Sequence, residues 1–135
     1  MFWLIFMLMS FTLGEKENLT LEDLRWKNRF VIYFPEKYHN PQFDIKSLES
    51  EFSERKIIFL SIGEQIQSNT EASFDQDYLN GLRGKFYIAG TKGNWILIGL
   101  DGGIKLNKEG EPDWDFIFKA IDSMPMRQSE IRKSK

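Results

Sequence analysis

Two apolar runs with almost no polar interruption, residues 30–34 (Phe-Val-Ile-Tyr-Phe) and 57–62 (Ile-Ile-Phe-Leu-Ser-Ile), constrain this chain more than any other feature. Runs rich in aromatic and β-branched residues, without alternation, read as strands covered on both faces, and such strands lie at the centre of α/β sheets. Between them Ile45, Leu48 and Phe52 recur on one helical face, with Asn40 placed to cap the helix and Pro41 to occupy its first turn. Arg55 and Lys56 close that helix. Strand, helix, strand at this spacing predicts a parallel, right-handed crossover unit.

The flanking segments complete the pattern. Thr20, with Asp23 three positions on, predicts a capping box that opens a short turn whose Leu24 and Trp26 cover the core. Residues 63–73 are polar and read as a surface loop, and residues 77–86 as a helix with Leu79, Leu82 and Phe86 on one face, opposed by Gly81 and Gly84. Residues 95–100 are a third strand. Asp101-Gly102-Gly103 supplies the positive φ angles of a tight hairpin before a short fourth strand at 104–106. Pro112 starts a last helix, with Asp113 and Asp115 in its first turn and Trp114, Ile117, Phe118 and Ile121 on one stripe; Pro125 stops it. The expected fold is α/β, a thioredoxin-like mixed sheet of about four strands with flanking helices. A doubly wound parallel sheet is disfavoured because the hairpin makes the last two strands antiparallel.

A chain of 135 residues, 41% hydrophobic with 12 Phe, suits a single packed core. The sequence divides into a signal peptide or short anchor (1–14), the domain (15–126) and a basic carboxy-terminal tail (127–135). Residues 1–13 carry no charge and are too few to cross a bilayer of about 30 Å as a helix. They match the apolar part of a signal peptide, with small residues Thr12 and Gly14 before a cut at Glu15, although the usual basic flank is missing. Export to the periplasm or beyond is expected, with membrane attachment only if this segment is retained.

The net charge of -2 carries no strong message about partners, and no nucleic acid is expected, because binding it normally needs a basic face. The tail gathers Arg127, Arg132, Lys133 and Lys135 around Glu130, as a solvated end or a weak site for phosphate or anionic lipid. Absence of cysteine removes disulfides, thiolate nucleophiles, iron–sulfur ligation and thiolate zinc sites together, and a single His removes multi-His metal sites. Met124 and Met126 flank Pro125 as core filling or as an adaptable contact patch; a Cu(I) site there would need further soft ligands. No cofactor and no metal are expected.

Residues 24–29 (Leu-Arg-Trp-Lys-Asn-Arg), 54–56 (Glu-Arg-Lys), 98–105 (Ile-Gly-Leu-Asp-Gly-Gly-Ile-Lys) and 121–127 (Ile-Asp-Ser-Met-Pro-Met-Arg) can be read together. Over residues 21–130 the chain resembles a thioredoxin-like domain of unknown function found in bacterial exported proteins, with relatives in extracellular animal proteins such as equarin and the sushi-repeat-containing proteins. The Asp-Gly-Gly hairpin and the Met-Pro-Met-Arg ending are its most specific pieces. The resemblance implies a thioredoxin-like fold and an exported location, without a settled activity. An oxidoreductase role has been supposed for such domains from their fold, and a chain without cysteine does not fit it.

In a thioredoxin-like fold the reactive group sits between the first strand and the first helix. Here that loop holds Glu36, Lys37, Tyr38 and His39. His39 is a candidate general base or acid, and Tyr38 and His39 are candidate binding residues. The plain alternatives are a solvated histidine, ordinary surface charges and a ring over the sheet edge. Arg55 and Arg127 are candidate anion-binding residues, and Asp101 is first of all a turn former. The expected function is that of an exported, non-catalytic binding module for a protein or a small anionic ligand, acting through the loop around Tyr38 and His39 or through Met126 and Arg127. The alternative is a peroxiredoxin-like relative or another enzyme of non-thiol mechanism, which needs His39, Arg55 and Arg127 to converge on one pocket.

Overall fold

The computed structural model describes residues 18–37, 39 and 41–134; the amino-terminal segment, Tyr38 and Asn40 lie outside that set. Five strands form one open sheet: β1 (Arg29–Pro35), β2 (Ile57–Ile62), β3 (Ile66–Ser68), β4 (Gly93–Ile98) and β5 (Ile104–Glu109), in the order β3-β2-β1-β4-β5. β1 pairs parallel with β2 and antiparallel with β4, and the other pairings are antiparallel. This is the strand arrangement expected for a thioredoxin-like mixed sheet, extended by one edge strand.

The continuous apolar runs behave as their composition requires. Every residue of β1, β2 and β4 is buried, because both faces of the sheet are covered. On one face Phe30, Ile32 and Phe34 pack with Leu79 and Leu82 of helix α2 (Gln76–Phe86). On the other, Val31, Tyr33 and Trp95 pack with Phe52 of α1 (Glu49–Glu54) and with Ile117 and Ile121 of α3 (Trp114–Asp122). Each such large apolar side chain contributes roughly 1.5–3 kcal/mol by leaving water.

Helix boundaries follow local chemistry. Asp75 and Asp113 accept hydrogen bonds from Tyr78 N–H and Phe116 N–H and so cap α2 and α3. Asp113 is therefore the cap rather than a first-turn residue. The first helix begins later than expected: a 3₁₀ turn at Lys46–Leu48 precedes α1, and Pro41 lies outside both. Asp44, whose carboxylate accepts from Ser47 N–H, marks that start, while Phe43 runs ahead of it and packs edge-on against Tyr33 and Phe59.

Four further expectations are corrected. The polar stretch after β2 is not wholly loop, since Ile66–Ser68 turns back as edge strand β3. The Thr20–Asp23 capping exchange forms, with Thr20 N–H donating to Asp23 at 2.9 Å, but Trp26 is 60% exposed and does not cover the core. Trp26 adopts φ +71, which turns its ring outward while its N–H donates to the Leu100 carbonyl at 2.7 Å. Strand β5 runs to Glu109, well past Leu106. Pro125 does end α3, yet it also occupies the first turn of a second helix, α4 (Pro125–Lys133), so most of the basic ending is helical.

Candidate functional site

The parallel pair has two ends, and they carry different chemistry. At the amino-terminal end of β1 the side chain of Arg29 is 1% exposed. It donates to the Arg55 carbonyl at 2.9 Å and to both oxygens of Glu130 at 3.2 and 3.3 Å. Arg55, just before β2, donates to both oxygens of Asp122 at 3.0 and 2.8 Å and to Glu51 at 2.6 Å, and lies 4.6 Å over the Phe118 ring. Arg127, on α4, donates to Asp122 at 3.0 Å and to the Glu54 carbonyl at 3.2 Å.

Three buried guanidinium groups are thus interleaved with the carboxylates of Glu51, Glu54, Asp122 and Glu130. Burial alone would push the Asp122 carboxyl up; hydrogen bonds from Arg55 and Arg127 outweigh it and hold that group below the usual carboxylate range. Burial opposes the charge of Arg55, and hydrogen bonds to Asp122 and Glu51 more than restore it. The chain brings Arg55 and Arg127 onto one carboxylate, and their charges are matched internally.

At the other end, beyond Pro35, a cavity of about 420 Å³ is lined by Tyr33, Glu36, His39, Lys92 and Glu111. His39 is half-exposed, with Nε2 3.8 Å from Glu111 Oε2. A seven-residue strand separates the two ends by roughly 20 Å. His39 therefore stands apart from Arg55 and Arg127. Tyr33 is fully buried, and among the described residues its hydroxyl has no hydrogen-bond partner. Burial, then the nearby charges of Glu111 and Glu36, push its pKa up to about 12, so it is a protonated donor at the cavity wall. Gly93 makes room for it: at φ +118, a Cβ there would stand 3.2 Å from the Tyr33 hydroxyl and 3.0 Å from the Phe34 carbonyl.

Asp101 has the turn role expected of it. Its carboxylate accepts from Gly103 N–H at 3.0 Å and from Lys105 at 2.9 Å, contacts that hold it below its ordinary range. Met124 packs against the core while Met126 is 38% exposed. Among the described residues, no group of three His, Asp or Glu could hold a metal ion, and no helix is long and apolar enough to cross a membrane.

Reading the sequence for function missed Tyr33, Arg29, Asp122 and Glu130. Tyr33 is hidden inside an apolar run whose other members are all core. Arg29, Glu54, Arg55, Asp122 and Arg127 fall inside three of the four segments quoted above, and that concentration of charge was the available signal.

A cysteine-free α/β domain with a mixed sheet, an internal arginine–carboxylate network at one end and a polar cavity at the other is the class that fold and site define. Its family is one described as a domain of unknown function (DUF4174): the family model matches residues 20–130, and the chain belongs to it. No curated protein and no solved structure matches the chain.

Proposed function

We propose that this chain is an exported, non-catalytic binding module, related by descent to thioredoxin-like domains including those of equarin and the sushi-repeat-containing proteins. The strand order and directions support that descent, and the apolar residues 1–13 support export. The binding surface is the face beyond β1, where a thioredoxin-like fold carries its reactive group.

One observation carries the reading: the buried Tyr33 hydroxyl is a protonated donor without a partner among the described residues, on a cavity that holds no thiol and no Ser or Thr nucleophile. An unmet buried donor is costly, and a ligand acceptor would remove that cost. The carboxylates of Glu36 and Glu111 outnumber Lys92 on the same wall, so the fitting ligand is an uncharged oxygen acceptor, such as a partner protein's carbonyl, that accepts from Tyr33. Tyr38 lies outside the described residues, while at the far end Arg55 holds α3 to the start of β2 and Arg127 ties α4 to the same Asp122 carboxylate.

The test is titration of N-methylacetamide into the full chain, with acetate as the charged control, followed by nuclear magnetic resonance. Saturable shifts at His39 and Gly93, abolished in Tyr33→Phe, are expected. The reading fails if N-methylacetamide does not bind there, if acetate binds as well, or if the metal-free protein turns over a substrate repeatedly at His39.

A further inference from the structure

The two segments that are most specific in the sequence, the Asp-Gly-Gly hairpin and Met-Pro-Met-Arg, come from chain regions far apart and face each other across one groove. Its volume is about 370 Å³, and Leu100, Lys105, Met124, Pro125 and Met126 line it together with Arg29. The hairpin wall is shaped by Gly99, over which the Lys105 stem lies so closely that a Cβ would stand 2.6 Å from Lys105 Cε. The opposite wall is thioether and proline, and Met126 is exposed beside the core-packed Met124.

Arg29 is the one charged side chain in this groove that is almost wholly buried. Its two terminal nitrogens are engaged by Glu130 and the Arg55 carbonyl, but among the described residues its Nε has no acceptor. A buried guanidinium N–H without an acceptor is a costly arrangement, and it indicates what a ligand must bring. The ligand must supply one oxygen. It need not supply charge, because Arg29 is paired with Glu130 and Lys105 with Asp101. The methionines add a polarizable apolar wall that adapts to an aliphatic chain.

We infer that this groove binds an uncharged carbonyl group carrying a short aliphatic chain, the carbonyl oxygen accepting from Arg29 Nε and the chain resting on Met124 and Met126. The site is separate from the Tyr33 cavity and does not depend on it. Such a carbonyl belongs to an apolar peptide segment or to an acyl ester. A carboxylate of the same length fits less well, since it would be desolvated beside cations whose charges are already matched.

Two probes distinguish the sources: N-acetyl-leucine methylamide for a peptide and methyl hexanoate for an acyl ester, with hexanoate and acetamide as controls. Each is titrated into the full-length protein while the methionine methyl and arginine Nε–H resonances are followed. The expected result is saturable shifts of Met124, Met126 and Arg29 with at least one of the two probes, at dissociation constants on the order of millimolar for fragments of this size. Hexanoate and acetamide should each bind about tenfold more weakly.

Met126→Ala should weaken the better probe about fivefold and Met126→Leu should restore it, with the melting temperature unchanged in both. Because Met126 is at the surface, neither variant threatens the fold. Preference for the methylamide assigns the groove to peptides, and preference for the ester assigns it to acyl groups. Equal binding by hexanoate, binding insensitive to Met126→Ala, or an Arg29 Nε–H held only by a long-lived water with no probe bound would each overturn the inference.

Discussion

Arg55 donates to both carboxylate oxygens of Asp122, at 3.0 and 2.8 Å, across 67 residues of chain. This bidentate pair joins the start of β2 to the end of α3. Arg127 reaches the same carboxylate from α4, so one acidic side chain ties three elements together. Removing one member of such a group leaves the others partly buried and unmatched, which costs more than the pair itself contributes.

The first prediction follows from that geometry. Asp122→Asn keeps the shape and loses the charge, so it should lower stability at neutral pH, measured by urea unfolding. Asp122 has its native pKa below its unfolded value, so its contribution is fully present above the unfolded pKa and is lost as pH falls through the native one. The difference between wild type and Asp122→Asn should therefore shrink on acidification. A gap that stays constant down to strongly acidic pH would mean that Asp122 is held by packing instead.

The hairpin gives a second prediction, between neighbouring glycines. Gly102 has φ +82, and a Cβ there would meet the Arg25 side chain at 3.2 Å, whereas Gly103 is not in the left-handed region. Gly102→Ala should cost on the order of 1 kcal/mol and Gly103→Ala clearly less. Equal melting temperatures for the two variants would contradict the turn geometry.

How much of this was legible in the sequence depends on the range of the interaction involved. Strands β1, β2 and β4 were readable because a fully buried strand needs an unbroken apolar run, and the α3 stripe because its period is helical. Strand β3 was not, because an edge strand of three half-buried residues shows neither pattern. Helix α4 was hidden by Pro125, which ends one helix and begins the next with the same fixed φ. Of the site residues, His39 was legible as a type of side chain in a loop. The Tyr33 hydroxyl and the Arg29–Glu130 pair were not, since both depend on contacts between distant segments that no local pattern records.

A third prediction concerns the apolar start, which lies outside the described residues. Protein recovered from its native envelope should be lighter than the full chain by about fourteen residues, as intact mass would show. A full-length mass would favour retention of the segment as an anchor.

The final prediction rests on composition and on the site together. With no cysteine there is no thiolate to attack a peroxide or exchange with a disulfide, and the loop after β1 places His39 beside Glu111. The purified protein should neither reduce insulin disulfides nor consume peroxide catalytically in the presence of a thiol reductant. Its 5 methionines set a ceiling on stoichiometric oxidation to sulfoxides, after which consumption must stop. Exposed Met126 should be oxidised before core-packed Met124, and mass spectrometry of proteolytic fragments can follow that order. Sustained turnover by rigorously metal-free protein would defeat the binding-module reading, because it would require a reacting group other than sulfur. The first variant to make would then be His39→Ala.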